Sequence, residues 1–236
     1  MIYLNNHKKM INIIEHKSYL IKILKALYSE LTIGSILGFK GGTAANLFYN
    51  LPRFSVDLDF DILDENKFLA VSNTIESLIK DFGKIKEQYL KRFTIFFLLS
   101  YKEKSQNIKI EVNKRNFGSS YELKNYLGIA MKVMVKEDML SNKMVALYER
   151  EAKANRDIYD IWFFLKNDWK INKEIIKLRT GLEFEEFINK CIKLIEDKNN
   201  RNILGGIGEL LEEKQKHWVK KNLKSETIFL LKLLQG

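Results

Sequence analysis

The sequence predicts an α+β chain: a small mixed α/β half over residues 1–135, then a helical bundle over residues 136–236. Three observations predict it. Val56, Leu58, Phe60 and Ile62 alternate with polar residues, the period of a half-buried strand. From Glu137 almost to the end, apolar residues recur at helical spacing. There is one proline, Pro52, so long helices can run uninterrupted. At 236 residues and 46% hydrophobic, the chain can bury a core as one large domain or two small ones.

Taken in order, residues 8–31 read as an amphipathic helix with Ile13, Leu20, Ile21, Leu24, Leu27 and Leu31 near helical spacing. "GSILGF" reads as a short buried strand, Gly41-Gly42 breaks it, and Thr43 opens a short helix that ends near Pro52. The alternating strand comes next, then a helix over 65–82. Further strands are expected near 84–91, 93–101 and 107–113, and in "IAMKVMV". Helices are expected over 137–151, 156–166, 172–179, 182–198, 207–222 and 224–234. "GGIGELL" at 205–211 has no strand before it and reads as a helix–helix turn, not a phosphate loop.

The formal charge is +10. The first half holds most of that excess, and the stretch from Lys84 to Arg115 holds nine basic residues against three acidic ones. A polyanion such as RNA or a nucleoside triphosphate is the partner this charge suits. Lys-rich composition without function is the other reading. Cys191 is the only cysteine and falls on the apolar side of its helix, so a buried inert thiol is expected. The first residues show no apolar leader and "IFFLL" is too short to span a bilayer, so a cytoplasmic protein with no membrane partner is expected.

Asp57, Asp59 and Asp61 lie on the face opposite Val56, Leu58 and Phe60. Residues two apart on a strand project the same way, about 6.6–6.8 Å apart. Asp57 and Asp59 can therefore bridge hard divalent cations. In "NIKIEVN", Ile108, Ile110 and Val112 take the core side, so Glu111 faces the other way with Lys109 and Asn113. If the two strands are neighbours, Glu111 meets Asp57 and Asp59. Solvent-side acids on two amphipathic strands are the alternative. Asp61 stands a step too far along and reads as a strand end. Gly41 and Gly42, between strand and helix, let backbone amides approach a phosphate. Thr43 then caps the helix or bonds a phosphate oxygen.

These residues resemble the AbiEii/AbiGii-type nucleotidyltransferase toxins of the polymerase-β-like superfamily. The resemblance rests on Lys40, Gly41, Gly42, Thr43, Arg53, Ser55, Asp57, Asp59 and Phe60, with Glu111 in the place of a third acid. It continues in "EDMLSNKMVALYEREAKANRDIYDIWFFL" through Lys143, Arg150, Arg156, Asp157 and Asp160, and covers roughly residues 37–165. Ala45–Asn46 departs from the family's usual Arg or Leu, a change expected to alter nucleotide contacts.

The resemblance implies a polymerase-β-like nucleotidyltransferase domain followed by a variable helical tail. It implies transfer of an NMP from an NTP, with Asp57, Asp59 and Glu111 holding two Mg²⁺ or Mn²⁺. Glu111 is also expected as a base toward the acceptor hydroxyl. Lys40, Gly41, Gly42, Thr43, Arg53, Ser55, Lys143 and Arg150 bind the nucleotide, and Asp157 or Asp160 orients Lys143 or activates the attacking group. Asn155 as a helix cap, with Asp157 in the first turn, explains that acid structurally. The implied partners are NTP, RNA (the tRNA 3′ end above all) and a cognate antitoxin encoded beside it. A protein or small-molecule hydroxyl as acceptor, and an inactive RNA- or partner-binding module, are the alternatives.

Overall fold

A computed structural model describes residues 12–235. Among the described residues, seven strands form one mixed sheet: β1 Leu37–Lys40, β2 Leu58–Ile62, β3 Lys84–Leu90, β4 Thr94–Ser100, β5 Ile108–Asn113, β6 Tyr121–Tyr126 and β7 Ile129–Met134. Their order is β3-β4-β5-β2-β1-β7-β6. The helices are α1 Ile13–Ser29, α2 Gly41–Tyr49, α3 Phe68–Ile79, α4 Lys136–Glu149, α5 Asn155–Lys166, α6 Lys173–Thr180, α7 Phe184–Glu196 and α8 Glu213–Leu233.

The chain divides into two compact units. The first holds the described residues up to Thr43 together with Val56–Arg115 and Leu123–Lys132. The second holds Ala44–Ser55, Asn116–Glu122 and the described residues from Val133 onward.

In the first unit the alternation has its expected consequence. Leu58, Phe60, Ile95, Phe97, Leu99, Ile108, Ile110 and Val112 are buried on one side of the sheet, as are Leu20, Ile23, Leu24 and Leu27 of α1 and Val71 and Ile75 of α3. The intervening residues Asp59, Asp61, Phe96, Leu98, Lys109, Glu111 and Asn113 are only half-buried. One sheet face is core and the other is open. Strand pairing brings the acids of that open face side by side: β2 and β5 run parallel with Asp59 opposite Glu111, and β4 pairs with β5 antiparallel with Phe96 opposite Glu111.

Several elements differ from expectation. The described part of the first helix starts at Ile13, capped by the Asn12 side chain accepting from the Glu15 amide at 3.1 Å; residues 8–11 of the expected helix lie outside the described residues. The "GSILGF" strand is half 3₁₀ turn: Gly34–Ile36 coil before β1 begins at Leu37. α2 begins at Gly41, not Thr43. β6 is a strand that the sequence pattern does not announce. The last two expected helices are one, because no Gly or Pro interrupts residues 213–233 and Leu223 and Thr227 are buried through the expected break. The segment from Ile203 to Leu211 is turn and 3₁₀, so "GGIGELL" is a connection as expected.

In the second unit, α4 packs against α5, α6 and α7, and α8 packs against α5 and α7. Leu140, Met144, Leu147, Ile158 and Phe164 are fully buried there. Cys191 is 1% exposed in that core, and burial pushes its thiol up to about 12.

Candidate active site

The first unit gathers its acids on the open sheet face. Asp59 comes from the middle of β2 and Glu111 stands directly beside it on β5. Asp57 lies two residues before Asp59, just outside the strand. Its backbone is held from two directions all the same. The Thr43 hydroxyl donates to the Asp57 carbonyl. One residue earlier, the buried His16 reaches the Val56 carbonyl through Nε2 at 3.0 Å and Tyr101 Oη through Nδ1 at 3.0 Å. A carbonyl can only accept, so Nε2 carries the proton and Nδ1 accepts from the tyrosine. Burial lowers the His16 pKa, and the Val56 bond only partly opposes it. Neutral His16 is thus a strut beneath Asp57.

Gly41 explains itself at this site. Its φ is +80°, and an added Cβ would collide with the Asp59 carboxylate. The turn needs glycine both for its backbone and for room beside the acid. Gly42 and Thr43 are buried in the first turn of α2. Because α2 starts at Gly41, Thr43 is not its cap, and its hydroxyl proton is committed to Asp57.

Lys40 donates to Asp61 at 2.6 Å, which gives Asp61 a local task. In the sequence, Lys109 is only a neighbour of Glu111. In the fold its ammonium lies 3.7 Å from Asp57 and 3.7 Å from Glu111. Two of the acids thus flank a positive charge. Their oxygens are the hard donors that Mg²⁺ or Mn²⁺ takes, and Lys109 occupies the place of a stand-in cation. The residues fit a divalent ion by donor chemistry and by charge. Among the described residues, no group of three His, Cys, Asp or Glu side chains forms a ready-made metal cluster. The signal for Lys109 was legible: it is two residues from Glu111 on a strand, hence on the same face.

The second unit holds a different charge cluster. Arg53 was expected at the nucleotide. It is 2% exposed, and its Nε and Nη2 meet Asp160 at 2.5 and 2.7 Å while Nη1 donates to the Phe54 carbonyl at 3.0 Å. A guanidinium so enclosed is a clamp between the Pro52 turn and α5, and has no edge open to a phosphate. Lys143 lies 3.1 Å from both Asp157 and Asp160, and Arg150 reaches Asp157 at 2.9 Å. Burial alone would raise the Asp157 pKa; Lys143 and Arg150 outweigh it and hold the carboxyl below its ordinary value. Asp157 is therefore more than a first-turn acid. Asn155 is not a cap either: it is the first residue of α5, and its Nδ2 donates to the carbonyls of Asn202 and Gly205 at 2.8 and 2.9 Å. Ser55 and Arg156 are half-buried.

Residues 22–218 match the model of the family described as nucleotidyl transferase AbiEii toxin, Type IV TA system. The chain belongs to this family. An uncharacterized protein of Aquifex aeolicus is 32% identical over 143 residues, which are 58% of this chain; the match spans 62% of that relative's length. Two solved structures from Helicobacter pylori share the fold at 18% identity. One, assigned as a nucleotidyltransferase, has a TM-score of 0.59 over 94% of this chain and 96% of its own. The other, JHP933, has a TM-score of 0.57 over 94% and 93%. The fold similarity runs through the helical region as well as the sheet. No helix among the described residues is long and apolar enough to cross a membrane.

Proposed function

We propose that this AbiEii-family chain transfers an NMP from an NTP to an RNA hydroxyl, with the tRNA 3′ end as the preferred acceptor. The carrying observation is the register that puts Asp59 beside Glu111, with Asp57 two residues upstream, on an open sheet face. The charge of +10 and the basic run from Lys84 to Arg115 favour a polyanionic acceptor.

Asp57, Asp59 and Glu111 would hold two Mg²⁺, or Mn²⁺, which would supply Lewis-acid charge at the reacting phosphate and the attacking oxygen. The rest falls to the chain. The amides of Gly41 and Gly42, at the start of α2, favour the phosphate oxygens, aided by the positive end of the helix. Lys109 offsets carboxylate charge until a cation binds. His16 and Thr43 fix the backbone that carries Asp57. The acceptor oxygen attacks the α-phosphorus, the bond to the α,β-bridging oxygen breaks, and pyrophosphate leaves with that electron pair. Glu111, 36% exposed, takes the acceptor's proton. In the second unit, Arg150 is 51% exposed and is the member of its cluster open to a phosphate; Lys143, 16% exposed, is shared between two carboxylates. Such a transferase would act as a toxin held in check by an antitoxin from a neighbouring gene.

The test is incubation with Mg²⁺, total tRNA and each α-³²P-labelled NTP in turn, beside an Asp57→Ala/Asp59→Ala control. Label in RNA with the wild type alone is expected. Label in a polypeptide moves the acceptor to protein, and label nowhere contradicts the reading.

A further inference from the structure

The open face of the first unit carries more than acids. Outward from Asp59, the row continues to Glu111 on β5, Phe96 on β4 and Tyr89 on the edge strand β3. Residues paired directly across strands share a face, so two aromatic rings lie in line with the candidate catalytic carboxylates. Tyr89 and Phe96 are stacked, with centroids 4.5 Å apart and planes 4° apart. Both are half-buried, where their neighbours Ile95 and Phe97 on the core side are 0% and 2% exposed.

One cation lies over this pair and two more lie at Phe93, three residues before Phe96. The Lys91 ammonium is 4.5 Å from the Tyr89 centroid. Arg92 and Arg115 flank Phe93 at 4.9 and 5.1 Å, brought together because the Lys114 amide bonds the Phe93 carbonyl at 3.0 Å. Lys91, Arg92 and Arg115 are all exposed. Lysines on an edge strand, such as Lys84 and Lys86, are accounted for by protection of the edge. That does not account for a parallel aromatic stack one strand from Glu111. Each ring already has one face on the other, so a base extends the stack at an outer face while phosphates pair with the neighbouring cations, as in single-stranded nucleic-acid binding.

We infer that Tyr89 and Phe96 form a base-stacking shelf for the single-stranded end of the RNA acceptor, with Lys91, Arg92 and Arg115 on its phosphates. The inference rests on the RNA-acceptor reading above, and it assigns the acceptor's path: across β4 and β3 toward Glu111. The shelf recognises bases by their faces, so it sets where the strand lies more than which base is read.

The test uses the full chain and two fluorescent 12-nucleotide RNAs, one ordinary and one abasic over its last three positions, with binding read by anisotropy. Tyr89→Leu and Phe96→Leu keep bulk and remove the π-face; Tyr89→Phe keeps it. Stacking predicts that each Leu variant weakens binding of the ordinary RNA by roughly five- to a hundredfold. The abasic RNA should bind weakly to all variants alike, and Tyr89→Phe should match the wild type. Lys91→Ala/Arg92→Ala/Arg115→Ala should flatten the slope of log affinity against log salt by about 2. Calorimetry with Mg²⁺ and a non-hydrolysable NTP should give the same affinity for the Leu variants as for the wild type. Loss of NTP affinity with RNA binding unchanged would overturn the inference and give the shelf to the nucleotide. Unchanged RNA binding in folded Leu variants, or no RNA binding by the wild type, would also overturn it. RNA bound through the shelf without label transfer would uphold the shelf and sink the transferase reading instead.

Discussion

Two sets of charged residues, one in each unit, are bonded in opposite ways. In the second unit, Arg53 and Asp160 are 2% and 0% exposed, with contacts of 2.5 and 2.7 Å, and Lys143 and Arg150 close on Asp157 at 3.1 and 2.9 Å. In the first unit, Asp57 and Glu111 are 18% and 36% exposed, and the cation between them stands off at 3.7 Å from each. Charges that are enclosed and saturated, as Arg53 and Asp160 are, hold a structure together, since each would be costly alone. Charges that are gathered and half-open on one sheet face can be reached by a ligand. Acids of one chemical type thus sit in two different surroundings, and the proposed function gives them two different ends.

The contrast can be broken first at its strongest bond. Arg53→Met leaves Asp160 buried without its main partner, and unfolding in urea should show a loss of about 3–5 kcal/mol. A loss below about 1 kcal/mol would mean that the clamp is not structural. Gly41→Ala should cost about 1–3 kcal/mol, because alanine is strained at φ +80° and its methyl meets Asp59. It should also weaken Mn²⁺ binding by displacing that carboxylate. Lys109→Met should act the other way and tighten Mn²⁺ binding up to about tenfold, read by electron paramagnetic resonance, because it removes a competing charge. Weaker Mn²⁺ binding in that variant would show that Lys109 supports the site instead of occupying it.

The smallest effect expected is one of pH. The folded His16 pKa is depressed, so the unfolded chain binds the proton more readily. The stability it contributes is complete above the unfolded value of about 6.5 and is lost as pH falls through the lower folded value. Urea midpoints taken from about pH 7.5 down to about pH 5 should fall for the wild type and fall less for His16→Gln.

Much of this was legible in the sequence, and the parts that were not share a cause. The alternation at 56–62 determined which side of β2 is buried, and the same logic put Glu111 on the acid face; the parallel pairing then made them neighbours. Local periodicity does not carry tertiary partners. Arg53 looked like a phosphate ligand because nothing near it in the chain reveals Asp160, 107 residues away. His16 looked like one more helix residue, although it supports a carbonyl 40 residues on. β6 escaped because "YELKNY" lies at the sheet edge with Leu123 74% exposed, so no apolar alternation marks it. The Tyr89–Phe96 stack was invisible until the register of β3 and β4 set the two rings opposite each other.

The most direct test of the contrast is a pair of urea unfolding curves, for Asp59→Asn and Asp160→Asn, measured beside the wild type. We expect Asp59→Asn to unfold at or above the wild-type midpoint, since neutralising one of a set of neighbouring acids relieves their repulsion. We expect Asp160→Asn to unfold at a clearly lower midpoint, since it strips the charge from a buried pair. The reverse order, with Asp59→Asn the less stable of the two, would contradict the proposed division between acids kept for chemistry and acids kept for the fold.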